Sequence, residues 1–126
     1  MTSREYLNQV KRLHDLMEEE ESDMKDQKEL EEDSDLPANG KEAYQRRVGY
    51  LERLYQKHKE YFPKLQEKVK RKINLLRVER EREVLILRYV DLLDWEKIPK
   101  KMDCSDDAVF SVHRRAVKHL EQILKG

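Results

Sequence analysis

Apolar residues recur at alternating intervals of three and four in the first part of the chain, which is the spacing of one helical face. The first helix predicted from this spacing covers about residues 3–33. Its apolar stripe thins among glutamates after residue 17, so we expect its far half to be frayed or weakly packed. A loop is predicted for residues 34–40, where proline, asparagine and glycine lie close together. The stripe consists of Tyr6, Val10, Leu13 and Met17.

The strongest periodicity lies in residues 44–76, where ten positions alternate between intervals of four and three without a slip. Eight of the ten are apolar or aromatic, which is typical of a coiled-coil seam. Pro63 removes a helical hydrogen bond, and because the register continues beyond it we expect a kink rather than a domain boundary. The seam consists of Tyr44, Val48, Leu51, Tyr55, His58, Phe62, Leu65, Val69, Lys72 and Leu76.

Shorter elements are predicted from residue 77 onward. One short helix lies around residues 84–89, a second spans 95–102, and a tight turn at 103–105 leads into a last helix that ends near 124. Ser105 is a good N-cap for that helix, and acidic residues in its first turn suit the helix dipole. The sequence therefore predicts an all-α chain, with a long helical hairpin or coiled coil over residues 1–76 and a helix-turn-helix over 77–126.

Composition narrows the class of protein. Charged residues make up 43% of the chain, with only three glycines and three prolines, which favours long solvated helices. No apolar run approaches the roughly 20 residues needed to cross a membrane, and no signal peptide is recognisable. The single cysteine, Cys104, fits a reducing cytoplasm. Because no metal-ligand spacing, phosphate loop or acid–base pair is present, we expect no metal, no cofactor and no enzyme activity.

The net charge of zero hides an uneven distribution. Residues 1–36 carry a net charge of −8, residues 41–76 carry +7, and residues 77–126 carry +1. The opposite charges of the first two segments predict that their helices lie together. A helix-turn-helix with almost no net charge would bind DNA weakly, because affinity depends on neutralising phosphates. The sequence therefore predicts a homodimer, or a partner such as RNA polymerase.

The C-terminal segment carries a spaced set of motif residues, which are Arg88, Tyr89, Val90, Trp95–Ile98, Cys104, Ser105, Val109, Phe110 and His113–Leu120. These residues stand where the fourth, promoter-recognition region of bacterial sigma factors keeps its pattern. The segment resembles the version of that region found in phage-encoded late transcription regulators of the ArpU and RinA type. The resemblance implies a transcription regulator that activates phage or prophage genes by binding upstream DNA in the cytoplasm of a bacterial host. Pro99 and Asp103 depart from the pattern.

The last helix can present one face to DNA. On a helical wheel Val109, Ala116 and Leu120 share an inner face with Val112 and Ile123, and the opposite face is polar. We expect Ser111 and Arg114 near base edges of the major groove, with lysines and Arg115 on phosphates. The complete set of predicted DNA-binding residues is Lys100, Lys101, Ser105, Asp107, Phe110, Ser111, Arg114, Arg115 and Lys118.

Several features have simpler interpretations. Tyr89, Trp95 and His113 are predicted to be packed core residues, and the alternating charges of residues 79–83 a solvated face. The acidic half of the first helix has too few apolar residues to cover the seam from Tyr44 to Phe62, so a second chain is expected there. Two other functions stay open: a coiled-coil adaptor of the anti-sigma type and a small terminase-like subunit for DNA packaging.

Overall fold

The computed structural model describes residues 1–32 and 35–126, and every regular element in this part of the chain is helical. The predicted all-α class is confirmed. No helix among the described residues is long and apolar enough to span a membrane. In chain order the elements are α1 (Ser3–Leu7), α2 (Gln9–Glu31), α3 (Ala38–Ile73), α4 (Glu79–Leu85), a π-helical turn (Ile86–Val90), α5 (Ile98–Met102) and α6 (Asp106–Lys125).

The contacts of the chain group it into two compact units. The hairpin unit comprises residues 13–63, and the terminal unit comprises residues 1–12 and 64–126. α3 remains one helix through Pro63, yet its residues before and after this proline belong to different units. This grouping differs from a division after residue 76, because α1 and the end of α3 contribute buried side chains to the same unit as α6.

In the hairpin unit, α2 and α3 run antiparallel. The Lys28 ammonium lies 3.3 Å from the Glu52 carboxylate, and the Gln45 amide donates to the Glu31 carboxylate at 2.7 Å. The far half of the first helix is weakly packed, as predicted: α2 continues to Glu31, but none of residues 21–32 is buried. One predicted boundary was wrong. The loop ends earlier than residue 40, since the Pro37 carbonyl accepts the first helical hydrogen bond of α3; residues 33 and 34 lie outside the described part.

The seam of α3 is covered within the chain, against the expectation that it needs a second copy. Val48 and Leu51 are only 7% and 4% exposed. Polar atoms of α2 complete the cover where apolar residues are scarce: both Glu20 carboxylate oxygens lie within 2.9 Å of His58 Nδ1, and the Tyr55 hydroxyl donates to the Glu21 carboxylate. Counting apolar residues alone does not reveal this cover, because a carboxylate that has a hydrogen-bond partner can also be buried against apolar side chains.

The terminal unit holds the main core. α1 begins at a Thr2 cap, whose hydroxyl accepts the Glu5 N–H at 3.1 Å. Tyr6 lies in the same core as the end of α3, where its hydroxyl reaches the Lys68 carbonyl at 3.5 Å. The start of the first stripe therefore packs against the C-terminal end of α3. The buried apolar residues of the unit are Tyr6, Leu7, Val10, Leu65, Val69, Ile73, Leu76, Val84, Leu85, Val90, Ile98, Met102, Val109, Val112, Ala116 and Leu120.

Candidate nucleic-acid interface

The turn between α5 and α6 has the predicted geometry. Asp103 adopts a left-handed conformation with φ of 53°, which Asp tolerates better than most residues. The Cys104 N–H donates to the Pro99 carbonyl at 3.1 Å and the Asp103 N–H to the Lys100 carbonyl at 3.4 Å, which satisfies the last carbonyls of α5. Ser105 then caps α6 by accepting the Ala108 N–H at 3.2 Å, as predicted.

α5 is shorter than the sequence indicated. It begins at Ile98, and the residues from Trp95 to Lys97 form a turn instead of helix. Pro99 explains the difference, because a residue without an N–H fits only the first turn of a helix.

The inner face of α6 anchors it in the terminal unit. Val109, Ala116 and Leu120 are at most 1% exposed, Val112 is buried and Ile123 is half-buried. The helices in contact with α6 are α4, α1 and α5. The contact with α1 includes a long-range hydrogen bond, since the Ser3 backbone N–H donates to the Glu121 carboxylate at 2.6 Å. These contacts fix which side of α6 faces outward.

The outer face of α6 carries the predicted DNA-binding side chains. Arg114 and Lys118 are exposed, Ser111 is half-buried, and Phe110 is 52% exposed. The two cations form no ion pair with another described residue, so their charges are available to a ligand. The other predicted residues, which are Lys100, Lys101, Ser105, Asp107 and Arg115, are also exposed.

A cluster of rings supports the start of α6. The Trp95 ring lies 4.8 Å edge-on from the His113 ring and 5.4 Å from the Phe110 ring. The Arg88 guanidinium lies 5.0 Å above the Trp95 ring and donates to the Leu93 carbonyl at 3.1 Å. Phe110 is thus held against Trp95 on one side and exposed on the other.

The hydrogen bond between Tyr89 and His113 locks this cluster together, with the Tyr89 hydroxyl 2.7 Å from His113 Nε2. Burial raises the pKa of Tyr89. Burial also lowers the pKa of His113, and the positive charges of Arg4 and Arg88 lower it further. The fold therefore favours the neutral forms of both rings that share this hydrogen bond. The prediction of packed Tyr89, Trp95 and His113 is confirmed, although all three are half-buried.

The π-helical turn after α4 aims Arg88 and Tyr89 towards α6. The Asp91 N–H donates to the Ile86 carbonyl and the Leu93 N–H to the Leu87 carbonyl, both at 2.8 Å. The wider turn is followed by Leu92 in a left-handed conformation with φ of 57°, which is rare for leucine. Periodicity gave no signal for this turn, because π-helical turns are short and depend on tertiary packing.

A hydrogen bond between buried Glu81 of α4 and His119 of α6 was also missed. Glu81 is 3% exposed and its carboxylate lies 2.5 Å from His119 Nδ1. The interpretation of residues 79–83 as a solvated face was therefore wrong at Glu81. The sequence did indicate that Glu81 faces inward, because it precedes the apolar Val84 and Leu85 by three and four residues and so lies on the same face of α4. The neighbouring arginines are also engaged, because Arg80 donates to the Met102 carbonyl and Arg82 to the Leu76 carbonyl.

One group of side chains could hold a cation. Among the described residues, His14, Asp15 and Glu18 offer ligand atoms within 4.8 Å of one another. His14 faces Asp15 through Nδ1 at 3.3 Å and Glu18 through Nε2 at 3.5 Å. One ion can bind only one of these two ring nitrogens, so the arrangement suits local ion pairs better than a metal.

The chain matches the sequence model of DUF1492, a family of proteins of unknown function, over residues 38–121, which extend from the start of α3 almost to the end of α6. The protein therefore belongs to this family. No curated protein and no solved structure matches the chain.

Proposed function

We propose that this member of the DUF1492 family is a DNA-binding transcription regulator that places the outer face of α6 in a major groove. One observation carries the proposal: the inner face of α6 is buried, while Arg114 and Lys118 on the opposite face are exposed and form no ion pair with any residue that the structure describes. A major groove admits a helix presented in this way. The short α5 and the capped turn before α6 complete a helix-turn-helix arrangement.

The charge of the terminal unit supports the proposal. Residues 77–126 alone are almost neutral, but the unit that carries α6 also includes residues 1–12 and 64–76. The whole unit contains nineteen lysines and arginines against twelve aspartates and glutamates, which is a net charge of +7. Phosphate neutralisation dominates affinity for DNA, so a second copy is not needed to explain binding.

Each side chain on the outer face has a proposed role. The Arg114 guanidinium reads a guanine through two parallel hydrogen bonds, and Ser111 contacts a neighbouring base edge. Phe110 presents an apolar surface to a thymine methyl group. Lys118 and Arg115 bind phosphates, as do Lys100 and Lys101 of α5, and these contacts set the register without reading sequence.

The regulatory role is part of the proposal and comes from the resemblance to ArpU- and RinA-type regulators. It consists of activation of phage or prophage genes, with RNA polymerase as the protein partner. α6 supplies the contact with upstream DNA that such activation requires.

Selection of bound sequences from a random DNA pool, followed by titration of the selected site, tests the function. Arg114→Ala should weaken binding to the selected site by about 1–3 kcal/mol and relax preference at one base pair. Lys118→Ala should weaken selected and random DNA alike and reduce the salt dependence. Lys59→Ala, which removes an exposed charge from the hairpin unit, is the control and should bind like wild type.

Two results would contradict the proposal. If the folded wild-type chain selects no sequence and binds no DNA at low salt, the adaptor function becomes the better explanation. If it binds DNA but neither Arg114→Ala nor Lys118→Ala changes binding, the outer face of α6 is not the interface.

A further inference from the structure

The N-terminal helix lies beside the proposed DNA-binding face. The Ser3 N–H donates to the Glu121 carboxylate at 2.6 Å, and Ser3 is itself only 4% exposed. Tyr6 and Leu7 are buried in the same unit as α6. On the helical wheel of α6, Glu121 falls next to Arg114 and close to Lys118. The side of α6 that α1 covers therefore borders its outer face.

Arg4 is the cation that α1 places at this border. It is exposed and forms no ion pair with another described residue. Burial raises the pKa of Tyr89 and lowers that of His113, and the positive charge of Arg4 opposes the first shift and adds to the second. His113 directly precedes Arg114 in α6. Because the neighbouring Ser3 is bonded to Glu121, the docking of α1 places Arg4 on the flank of the recognition helix.

We propose that Arg4 binds a phosphate of the DNA strand that borders the groove occupied by α6. The inference rests on the proposed function and deepens it, since it adds the N-terminal helix to a DNA interface that the sequence confined to residues 100–118. A phosphate contact from an arginine carries no sequence information, but it fixes the position of the recognition helix on the duplex. Arginine suits this role because its planar guanidinium can donate two hydrogen bonds to one phosphate.

The salt dependence of DNA binding by the full chain tests the inference. Arg4→Ala should reduce the slope of log affinity against log salt by about 0.9, the value for one phosphate contact on duplex DNA. Between 50 and 200 mM salt the wild type should therefore lose about three- to fourfold more affinity than the variant does. The same change is expected on a selected site and on random DNA.

Two matched variants separate the contact from other effects. Arg12→Ala removes an exposed arginine from the same unit and should keep the wild-type slope. Arg4→Lys keeps the charge and should restore most of the slope, which shows that a loss in Arg4→Ala does not come from undocking of α1. Unfolding followed by the fluorescence of Trp95, the one tryptophan of the chain, should be similar for all three variants.

The outcomes distinguish this inference from the proposed function. A wild-type slope in Arg4→Ala, with DNA binding intact, overturns the inference and leaves the proposed function standing. An equal loss in Arg12→Ala also overturns it, because net charge alone then explains the effect. Absence of DNA binding by the folded wild type overturns the proposed function, and the inference falls with it.

Discussion

At the scale of single residues, the surroundings of His113 at the start of α6 determine its protonation state. Its ring lies edge-on against Trp95 and shares a hydrogen bond with the Tyr89 hydroxyl, and it stands next to Arg114 in the chain. Burial lowers its pKa, and the charges of Arg4 and Arg88 act in the same direction. The folded protein therefore prefers the neutral imidazole more strongly than the unfolded chain does.

This preference predicts a pH dependence of stability. Because the pKa of His113 is lowered in the folded state, the unfolded state takes up the proton first as pH falls below about 6.5. The stability contributed by the neutral ring is complete above that pH and is lost as pH falls towards the folded-state pKa. Chemical unfolding followed through Trp95 at pH 7.5 and 5.5 should show a larger loss for wild type than for His113→Gln.

Gln122→Ala, a change at an exposed position of α6, is the matched control for this measurement. It should lose as much stability between the two pH values as wild type does. An identical pH dependence in wild type and His113→Gln would show that the ring is not kept neutral by the fold.

At the scale of elements, local signals predicted the structure best where neighbours in sequence supply the partners. The Ser105 cap, the turn at Asp103 and the inner face of α6 were predicted because a cap, a left-handed residue and a 3.6-residue period each act within a few residues. The start of α3 was placed too late, because Asn39 and Gly40 favour turns in isolation but are held in a helix whose later turns are well packed.

Features that depend on distant partners were missed. The attachment of α1 to α6 joins residues 118 positions apart in sequence, and no period within either helix indicates it. The pairing of Glu81 with His119 likewise needs two helices to be packed before the charge can be buried. The helical wheel alone predicted that Arg114 and Lys118 face outward. That α1, which carries Arg4, packs beside α6 could be seen only in the folded structure.

The inner face of α6 gives a prediction at this scale. Leu120 is fully buried between α6 and its neighbours, so Leu120→Ala should lower the free energy of unfolding by about 2–5 kcal/mol. Gln122→Ala, two positions further on and exposed, should change it by less than about 0.5 kcal/mol. Urea unfolding of both variants measures the difference, and equal stabilities would show that Leu120 does not lie in the core.

At the scale of the whole molecule, the two units differ sharply in charge. The terminal unit has a net charge of +7, and the hairpin unit, with eight lysines and arginines against fifteen aspartates and glutamates, has −7. The sequence predicted that the oppositely charged first two segments lie together, and α2 and α3 do so. Lys28 pairs with Glu52 across this hairpin, and the Gln45 amide donates to the Glu31 carboxylate.

The covered seam leads to a prediction about association. Leu51 is 4% exposed within one chain, so Leu51→Glu buries an unpaired carboxylate and should destabilise the hairpin unit by about 3–5 kcal/mol. Tyr61→Glu, at a position 45% exposed, should have little effect. Thermal unfolding followed by circular dichroism measures both. A wild-type dimer in sedimentation that Leu51→Glu separates into folded monomers would show instead that the seam joins two chains.

The bond between Ser3 and Glu121 has a consequence for biosynthesis. A growing chain emerges from the ribosome N-terminus first. α1 therefore cannot make its contact with α6 until more than a hundred further residues have been synthesised. During translation Tyr6, Leu7 and Val10 therefore have no final core to enter, although the hairpin that follows them can already form. Emergence of α6 is the event that allows the terminal unit to close. The DNA-binding face proposed above can therefore form only after α6 has been synthesised.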